Sequence, residues 1–187
     1  MARSRILLDS NAYFRLARSI RPLLDTEFGG VERFALYVIE DLAAEYGRST
    51  RLKNKFSWLQ DDEYVANRKR PLSMSRADKK SVGQAFDFIS NHVRSERLSP
   101  STVDVRAIAT AYVLGIRLVT DDRAMAELAV LYGVEVWTTL ELMSFMVEVG
   151  HIDQALVAQI VSYWKHENDL PGNFHQEYRR LFGSAPP

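Results

Sequence analysis

Four acidic residues stand where predicted strands or helices begin or end, and carboxylates in such positions can bind a metal ion. Asp9 closes the apolar run 5–8, a predicted buried strand, and Asp122 follows a second apolar run at 116–120. In open α/β sheets, ligands bind at the carboxyl ends of the strands. Asp9 and Asp122 therefore lie where chemistry would be expected.

The other two acids are predicted to lie on helices. Ser99 is a candidate helix cap with Pro100 at the first helical position, so Asp104 falls in the first turn, near the positive end of the helix dipole. Glu45 follows a predicted short strand at 36–39 that turns directly into a helix. The chain thus supplies two acids at strand ends and two on helices.

Each acid also has a purely structural interpretation. Asp104, and Asp121 or Asp122, could cap helices, and Glu45 could be a solvated helix residue. Asp9 is harder to explain in this way, because an ionised carboxylate beside a buried strand is costly to desolvate without a partner. No lysine or arginine near Asp9 in the sequence has an obvious pairing role.

Carboxylates that converge on one pocket require a cation. Two of them about 4 Å apart repel by roughly 4 kcal/mol at an effective dielectric constant of about 20. Oxygen ligands without histidine or cysteine favour Mg²⁺ or Mn²⁺ over zinc. The chain has no cysteine, its four histidines show no zinc-binding spacing, and it has no Gly-rich phosphate loop. These absences argue against disulfides, zinc sites and the commonest nucleotide-binding motifs.

The ordered set of acids resembles the motifs of the PIN-domain nucleases. That family has a strand ending in Asp-x-Asn, a helix bearing Glu, an Asp at a helix start and a strand ending in Thr-x-Asp. The resemblance extends from about residue 5 to about residue 145. The matching residues are Asp9-Ser10-Asn11, Glu45, Asp104 and Thr120-Asp121-Asp122.

The resemblance implies a PIN-like three-layer α/β/α fold with a central, mostly parallel sheet. The chain departs from the family in a longer stretch between Glu45 and Asp104 and in about 40 residues after the expected end, which we expect to form a helical insertion and a helical C-terminal extension. It implies catalysis with Mg²⁺ or Mn²⁺. The residues it assigns are Asp9, Glu45, Asp104 and Asp122 as catalytic and metal-binding, Asp121 as a further metal ligand, and Asn11 and Thr120 in support. The family often has Asn where this chain has Asp121. Either Asp121 or Asp122 could therefore face the metal.

The implied activity is a metal-dependent endoribonuclease that hydrolyses phosphodiester bonds of single-stranded RNA. The bacterial subgroup that the chain most resembles is the VapC-type toxins of toxin–antitoxin pairs, which leaves room for an antitoxin partner and a homodimer. The alternative from another class is a catalytically silent PIN-like module that binds RNA or a protein.

The charge of the chain is unevenly placed. Its formal net charge is zero, yet residues 48–80 contain ten Lys or Arg and four acids, which gives 10 − 4 = +6. Basic side chains there would meet phosphates, and aromatic ones could stack on bases. The predicted RNA-binding residues are Lys53, Lys55, Arg68, Lys69 and Arg70, with the aromatics Phe56, Trp58 and Tyr64. The alternative is a solvated arm whose aromatics pack on the core.

A chain of 187 residues with 47% hydrophobic content suits one core with additions. We expect a PIN-like domain at 1–145 that carries the basic insertion, and a helical extension at 146–187 packed on the same domain. The patterns predict strands at 5–9, 36–39, 116–120 and 134–138 and a helix at 75–98. With no apolar run of 18 residues and no signal-peptide pattern, we expect a cytoplasmic protein without a membrane segment.

Overall fold

The computed structural model describes residues 3–70 and 72–187, without the side chains of residues 43–45. Its centre is a parallel sheet, and the strands in this part of the chain are β1 Ser4–Leu8, β2 Phe34–Tyr37, β3 Arg117–Val119 and β4 Val136–Trp137. Their order is β2-β1-β3-β4, and every neighbouring pair is parallel. The predicted α/β class with a central parallel sheet is confirmed.

Helices connect the strands, and further helices form the insertion and the C-terminal extension. They are α1 Ser10–Leu16, α2 Asp41–Arg48, α3 Thr50–Lys55, α4 Asp62–Arg68, α5 Arg76–Ser95, α6 Thr102–Leu114, α7 Arg123–Leu131, α8 Thr139–Glu148, α9 Gln154–His166 and α10 Phe174–Phe182. A single 3₁₀ turn at Ser57–Gln60 lies between α3 and α4.

The sheet is covered on both faces, as β1 shows directly. Ile6 and Leu8 belong to a core cluster with buried residues of α1, α8 and α9, whereas Leu7 belongs to a second cluster with residues of α5, α6 and α7. Successive side chains of a strand point to opposite faces of its sheet. The two clusters therefore lie on opposite sides, and the predicted three layers are confirmed.

Reciprocal caps fix the starts of two helices that flank the sheet. A capping pair of Ser75 and Asp78 starts α5, which was predicted at 75–98 and spans Arg76–Ser95. At α6 the predicted cap Ser99 is wrong, because Ser101 is the cap and Thr102 the first helical residue. The Ser101 hydroxyl accepts a hydrogen bond from the Asp104 backbone, and the Asp104 carboxylate accepts one from the Ser101 backbone. This exchange requires partners three positions apart, as Ser101 and Asp104 are, whereas Ser99 lies five positions before Asp104.

The aromatic residues of the basic segment pack inward. Phe56 and Tyr64 are buried, and the Phe56 ring stacks on Phe14 with 4.7 Å between centroids. Trp58 is half-buried and meets the Tyr64 ring edge-on at 4.7 Å. Phe56 and Tyr64 are therefore core residues rather than free platforms for bases, which is the alternative interpretation of this segment.

The C-terminal helices complete the core on the α1 face of the sheet. Trp164 of α9 is 1% exposed, and its indole N–H donates to the Arg15 carbonyl oxygen at 3.0 Å. Phe174 and Tyr178 of α10 join the same core cluster. The extension thereby reaches the helix that follows β1. No helix in the two described ranges is both long and apolar enough to span a membrane.

Candidate active site

Asp9 is a buried acid at the carboxyl end of β1, with 6% of its surface exposed. Its Oδ1 accepts the Ala12 backbone N–H at 2.6 Å, which caps α1, and its Oδ2 accepts the Thr120 hydroxyl at 2.5 Å. Within the described residues no lysine, arginine or histidine forms an ion pair with it. The described residues thus provide hydrogen-bond donors to this carboxylate but no positive charge to balance its negative one.

Burial raises the pKa of Asp9 from 3.8 to about 7. The hydrogen bonds from Thr120 and Ala12 oppose that rise, and the negative charges of Asp121 and Asp104 add to it. Without a cation, Asp9 therefore carries its proton about half of the time near neutral pH. A bound cation would favour the ionised form, because it supplies the missing opposite charge.

Asp104 faces the same small cavity as Asp9. The two acids line a space of about 10 Å³ together with the apolar side chains of Leu42, Ala107 and Met125. This is about the space that one water molecule needs, so the cavity has room for a single water or ion. The Asp104 Oδ2 also accepts the Ser101 backbone N–H at 2.7 Å, so its capping role and its position beside Asp9 coexist.

Glu45 and Asn11 are less defined by the structure. The backbone of Glu45 lies in α2, one turn after Leu42, but its side chain lies outside the described part of the molecule. Asn11 is exposed in the first turn of α1, and no hydrogen bond joins its side chain to any described residue. The predicted roles of both residues stay predictions.

Thr120 connects Asp122 to Asp9. The Asp122 backbone N–H donates to the Thr120 hydroxyl oxygen at 3.1 Å, and the same hydroxyl donates to Asp9. The Asp122 Oδ1 accepts the Met125 backbone N–H at 2.8 Å and caps α7. Thr120 therefore orients the Asp9 carboxylate, while Asp122 remains exposed at the helix start with one carboxylate oxygen engaged in the cap.

Asp121 has a different environment from its neighbour. It forms a short ion pair with the Arg15 guanidinium, and it accepts the Thr139 backbone N–H at 2.9 Å and the Thr139 hydroxyl at 2.6 Å. The side chains of Asp121 and Arg15 are 6% and 11% exposed. Both carboxylate oxygens of Asp121 are thus occupied by protein groups, which favours Asp122 of the adjacent pair as the acid open to a ligand.

Arg15 is the residue at this edge that sequence reasoning missed. It lies 106 positions from Asp121 in the chain. The available signal was an arginine between the buried residues Phe14 and Leu16 of an apolar helix, which implies a buried acidic partner. The sequence pattern cannot say which of 24 acids that partner is.

Ion pairs link the basic segment to the same edge of the sheet. The Asp169 carboxylate lies 3.4 Å from the Arg15 Nε and 3.4 Å from the Lys55 Nζ. Asp169 belongs to the turn between α9 and α10. The first part of the basic segment, the C-terminal turn and the β3 end therefore meet around Arg15.

The remaining basic residues of the predicted RNA surface differ in availability. Arg68 donates to the Leu59 carbonyl oxygen at 2.7 Å and lies over the Tyr46 ring, so it serves packing within the insertion. Arg70 is exposed and lies 4.0 Å from Asp25. Lys53 and Lys69 form no ion pair with any described residue and are half-buried and exposed, respectively. Of the five, Arg68 is thus the residue whose guanidinium is engaged in packing within the insertion.

The structure brings two of the predicted ligands together. Asp9 and Asp104 share a cavity, whereas Asp122 borders a neighbouring cleft and Asp121 is paired with Arg15. Among the described residues no three His, Cys, Asp or Glu side chains are grouped closely enough to hold a metal. The donors that do converge are carboxylate oxygens, the type that Mg²⁺ and Mn²⁺ prefer, so the pair fits such an ion.

No protein-family model matches the chain, and no curated protein matches it. Among solved structures, the chain is similar to one chain in the crystal structure of FitAcB from Neisseria gonorrhoeae, at 18% identity and a TM-score of 0.45. The similarity covers 72% of this chain and 97% of the other. A likeness of this degree does not establish a family or a function.

Proposed function

We propose that the protein is a divalent-metal-dependent ribonuclease that hydrolyses phosphodiester bonds of single-stranded RNA. The observation that carries the proposal is Asp9, a buried carboxylate at a strand end with no cationic partner among the described residues, beside Asp104 in a cavity of ionic size. An uncompensated buried acid is destabilising, and such strain persists mainly at functional sites. The motif resemblance set out above supports RNA as the substrate.

In this proposal Asp9 and Asp104 hold the Mg²⁺ or Mn²⁺ ion, and Glu45 and Asp122 are further ligands or orient the attacking water. When bound, the ion would supply positive charge to the phosphate oxygens and lower the pKa of a water. Thr120 holds the Asp9 carboxylate in place through its hydroxyl. Leu42 and Met125 supply apolar walls to the cavity that the two acids line.

The test is hydrolysis of single-stranded RNA with Mg²⁺, with Mn²⁺ and with EDTA. Asp9→Asn and Asp104→Asn should each lower the rate by more than about a hundredfold, because loss of a ligand exceeds the usual effect of losing its supporting partner. Glu45→Gln should also lower it. Asp87→Asn is the matched control, since Asp87 is an exposed acid of α5 and should leave the rate unchanged. Equal rates in all variants would refute the assignment.

RNA would approach over the basic segment, because a pocket of carboxylates repels a phosphate backbone. The ion pairs around Arg15 bring Lys55 to the β3 end, which supports this path. We retain Lys53, Lys55, Lys69 and Arg70 in the proposal and treat Arg68 as a packing residue. Lys53→Ala or Lys69→Ala should weaken RNA binding and flatten its salt dependence, whereas Arg94→Ala on α5 should not.

In the cell, the proposed ribonuclease would act as the toxin of a toxin–antitoxin pair. It would bind an antitoxin and form a homodimer. The order of motifs supports this role. Expression of the chain should arrest growth, Asp9→Asn should abolish the arrest, and the product of a small adjacent reading frame should relieve it. Arrest by Asp9→Asn equal to that by the wild type would contradict the role.

The second candidate is a binding module without catalysis. Its support is that Asp104 and Asp122 both have a structural role as caps of helices. Such a module would bind RNA equally well with Mg²⁺ and with EDTA and would leave it intact. The same hydrolysis assay therefore separates the two functions.

A further inference from the structure

A second cleft opens beside the candidate active site, between the start of α7 and the C-terminal helix α10. Its volume is about 480 Å³, which is within the range of small-molecule sites. Thr120 and Asp122 border it on one side and Gln176 and Arg180 on the other. Because the Thr120 hydroxyl also holds Asp9, the cleft begins one hydrogen bond away from the acid pair.

Two of the three acids that line the cleft are already bonded by the protein. Asp121 is paired with Arg15 and bonded to Thr139. Glu177 accepts the Thr138 hydroxyl at 2.6 Å, and burial raises its pKa. The third, Asp122, is exposed with one carboxylate oxygen in the cap of α7, so it is the acid whose charge an anionic ligand would meet.

Two largely exposed guanidinium groups border the cleft. Arg123 is 92% exposed and pairs with the exposed Glu127 one turn away on the same helix, where solvent screens the attraction. Arg180 is 58% exposed and lies 2.9 Å from Glu141 and 3.6 Å from Glu177. Arg123 can therefore turn toward a phosphate at small cost, whereas Arg180 would contact the phosphate from its place beside these two acids.

The side-chain amides of α10 add groups that suit a nucleobase. Asn173 and Gln176 line the cleft, both are exposed, and neither side chain is hydrogen-bonded within the described residues. An amide offers a donor and an acceptor side by side, the arrangement that matches the edges of unpaired bases. The cleft thus combines phosphate-binding and base-binding groups next to a candidate phosphodiesterase site.

We propose that this cleft between α7 and α10 binds one nucleotide of the single-stranded RNA substrate, next to the phosphodiester that lies over Asp9 and Asp104. Arg123 and Arg180 contact the phosphate, and Asn173 and Gln176 contact the base. The inference rests on the proposed ribonuclease function for the identity of its ligand. It gives the C-terminal extension a role in choosing where the RNA is cut.

The experiment measures binding of the four ribonucleoside 5′-monophosphates to the full chain in EDTA, by calorimetric titration. Arg123→Ala, Arg180→Ala and Gln176→Ala should each weaken binding, the arginine variants by roughly tenfold, as expected for one charge-assisted hydrogen bond. The matched controls are Arg179→Ala and His175→Ala, exposed residues of the same helix that do not line the cleft. The controls should bind as the wild type does.

Base recognition is tested by comparing the nucleotides with inorganic phosphate. The wild type should bind at least one nucleotide more tightly than phosphate, and Gln176→Ala should reduce that preference while leaving phosphate binding unchanged. With Mg²⁺, the same variant should alter the positions of cleavage in a mixed RNA. Binding of phosphate as tight as that of every nucleotide would mean an anion site and would overturn the inference.

The outcomes separate this inference from the ribonuclease proposal. RNA hydrolysis by the wild type, with nucleotide binding unaffected by Arg123→Ala, Arg180→Ala and Gln176→Ala, would refute the subsite and leave the activity standing. Specific nucleotide binding without any hydrolysis would refute the ribonuclease and retain a nucleotide-binding cleft. No nucleotide binding by the wild type would refute the subsite, whatever the hydrolysis assay shows.

Discussion

The ends of β1 and β3 each carry a buried aspartate, and the protein treats the two charges differently. Asp121, after β3, is paired with Arg15 and bonded twice to Thr139. Asp9, after β1, has two hydrogen bonds and no cation within the described residues, and its pKa rises to about 7. A fold that supplies an arginine to one acid and none to the other leaves the second one open to an external cation.

The comparison predicts that loss of Arg15 is the most damaging change at this edge. Arg15→Ala would leave Asp121 buried without its partner and should cost about 5 kcal/mol of unfolding free energy. Arg18→Ala is the control, because Arg18 is exposed and its contact among the described residues is with Tyr163, and it should cost less than about 1 kcal/mol. Urea denaturation of both variants measures the difference. Similar small losses would mean that the pair is not structural.

Asp9 should make stability depend on pH in the metal-free protein. Its folded pKa of about 7 lies above its ordinary value of 3.8, so the folded state holds more protons between those values. Stability is therefore fully present below pH 4 and falls as the pH rises to about 7, and the loss between pH 5 and pH 8 is about 3 kcal/mol.

This loss of stability is measured by urea denaturation in EDTA at pH 5 and at pH 8, for the wild type and for Asp9→Asn. The variant carries no titratable group at this position, so its stability should change by about 3 kcal/mol less than that of the wild type over the same interval. It should also be the more stable protein at pH 8. Parallel pH profiles for the two proteins would show that Asp9 is not the group responsible.

Sequence patterns predict several features of the edge of the sheet where β1 and β3 end. The apolar runs before Asp9 and Asp122 form parallel strands, since side chains buried on both faces leave a continuous hydrophobic signal. The first-turn position of Asp104 also follows from the pattern, although the cap is Ser101 and not Ser99. Local rules of capping and periodicity suffice for these features.

Contacts between distant segments do not follow from such rules. The pairing of Arg15 with Asp121 and Asp169 depends on how α1, the β3 end and the C-terminal turn are arranged in space. The cleft beside Asp122 likewise depends on where α10 packs. The sequence left two uses open for Phe56 and Tyr64, because a half-polar segment hides which of its faces is covered, and their burial in the structure favours packing on the core.

Of the two acids compared here, Asp9 and Asp121, the Thr120 hydroxyl bonds to Asp9, so a change at Thr120 should alter the properties of Asp9. Thr120→Val removes the hydroxyl that favours ionised Asp9 and should lower Mn²⁺ affinity about tenfold, which corresponds to about 1.4 kcal/mol. Thr120→Ser keeps the hydroxyl and should bind nearly as the wild type does. Calorimetric titration with Mn²⁺ provides the affinities, and equal values for the two variants would contradict the orienting role.

Substitutions of Asp122 should have the smallest effect on stability, and two different substitutions can separate that effect from an effect on activity. Asp122→Ala removes the cap of α7 and should cost about 1 kcal/mol, whereas Asp122→Asn keeps the cap and should cost almost nothing. If Asp122 is also a ligand, both variants should lose RNA hydrolysis. An active Asp122→Asn protein would restrict this residue to capping.

The most direct test of the central claim is the melting temperature at pH 7 with Mn²⁺ and with EDTA. A cation that binds only the folded protein stabilises it by about 2.7 kcal/mol at a hundred times its dissociation constant. The account predicts a rise for the wild type and for Asp87→Asn, and little or no rise for Asp9→Asn and Asp104→Asn. No rise in the wild type, or the same rise in all four proteins, would contradict a cation site at Asp9.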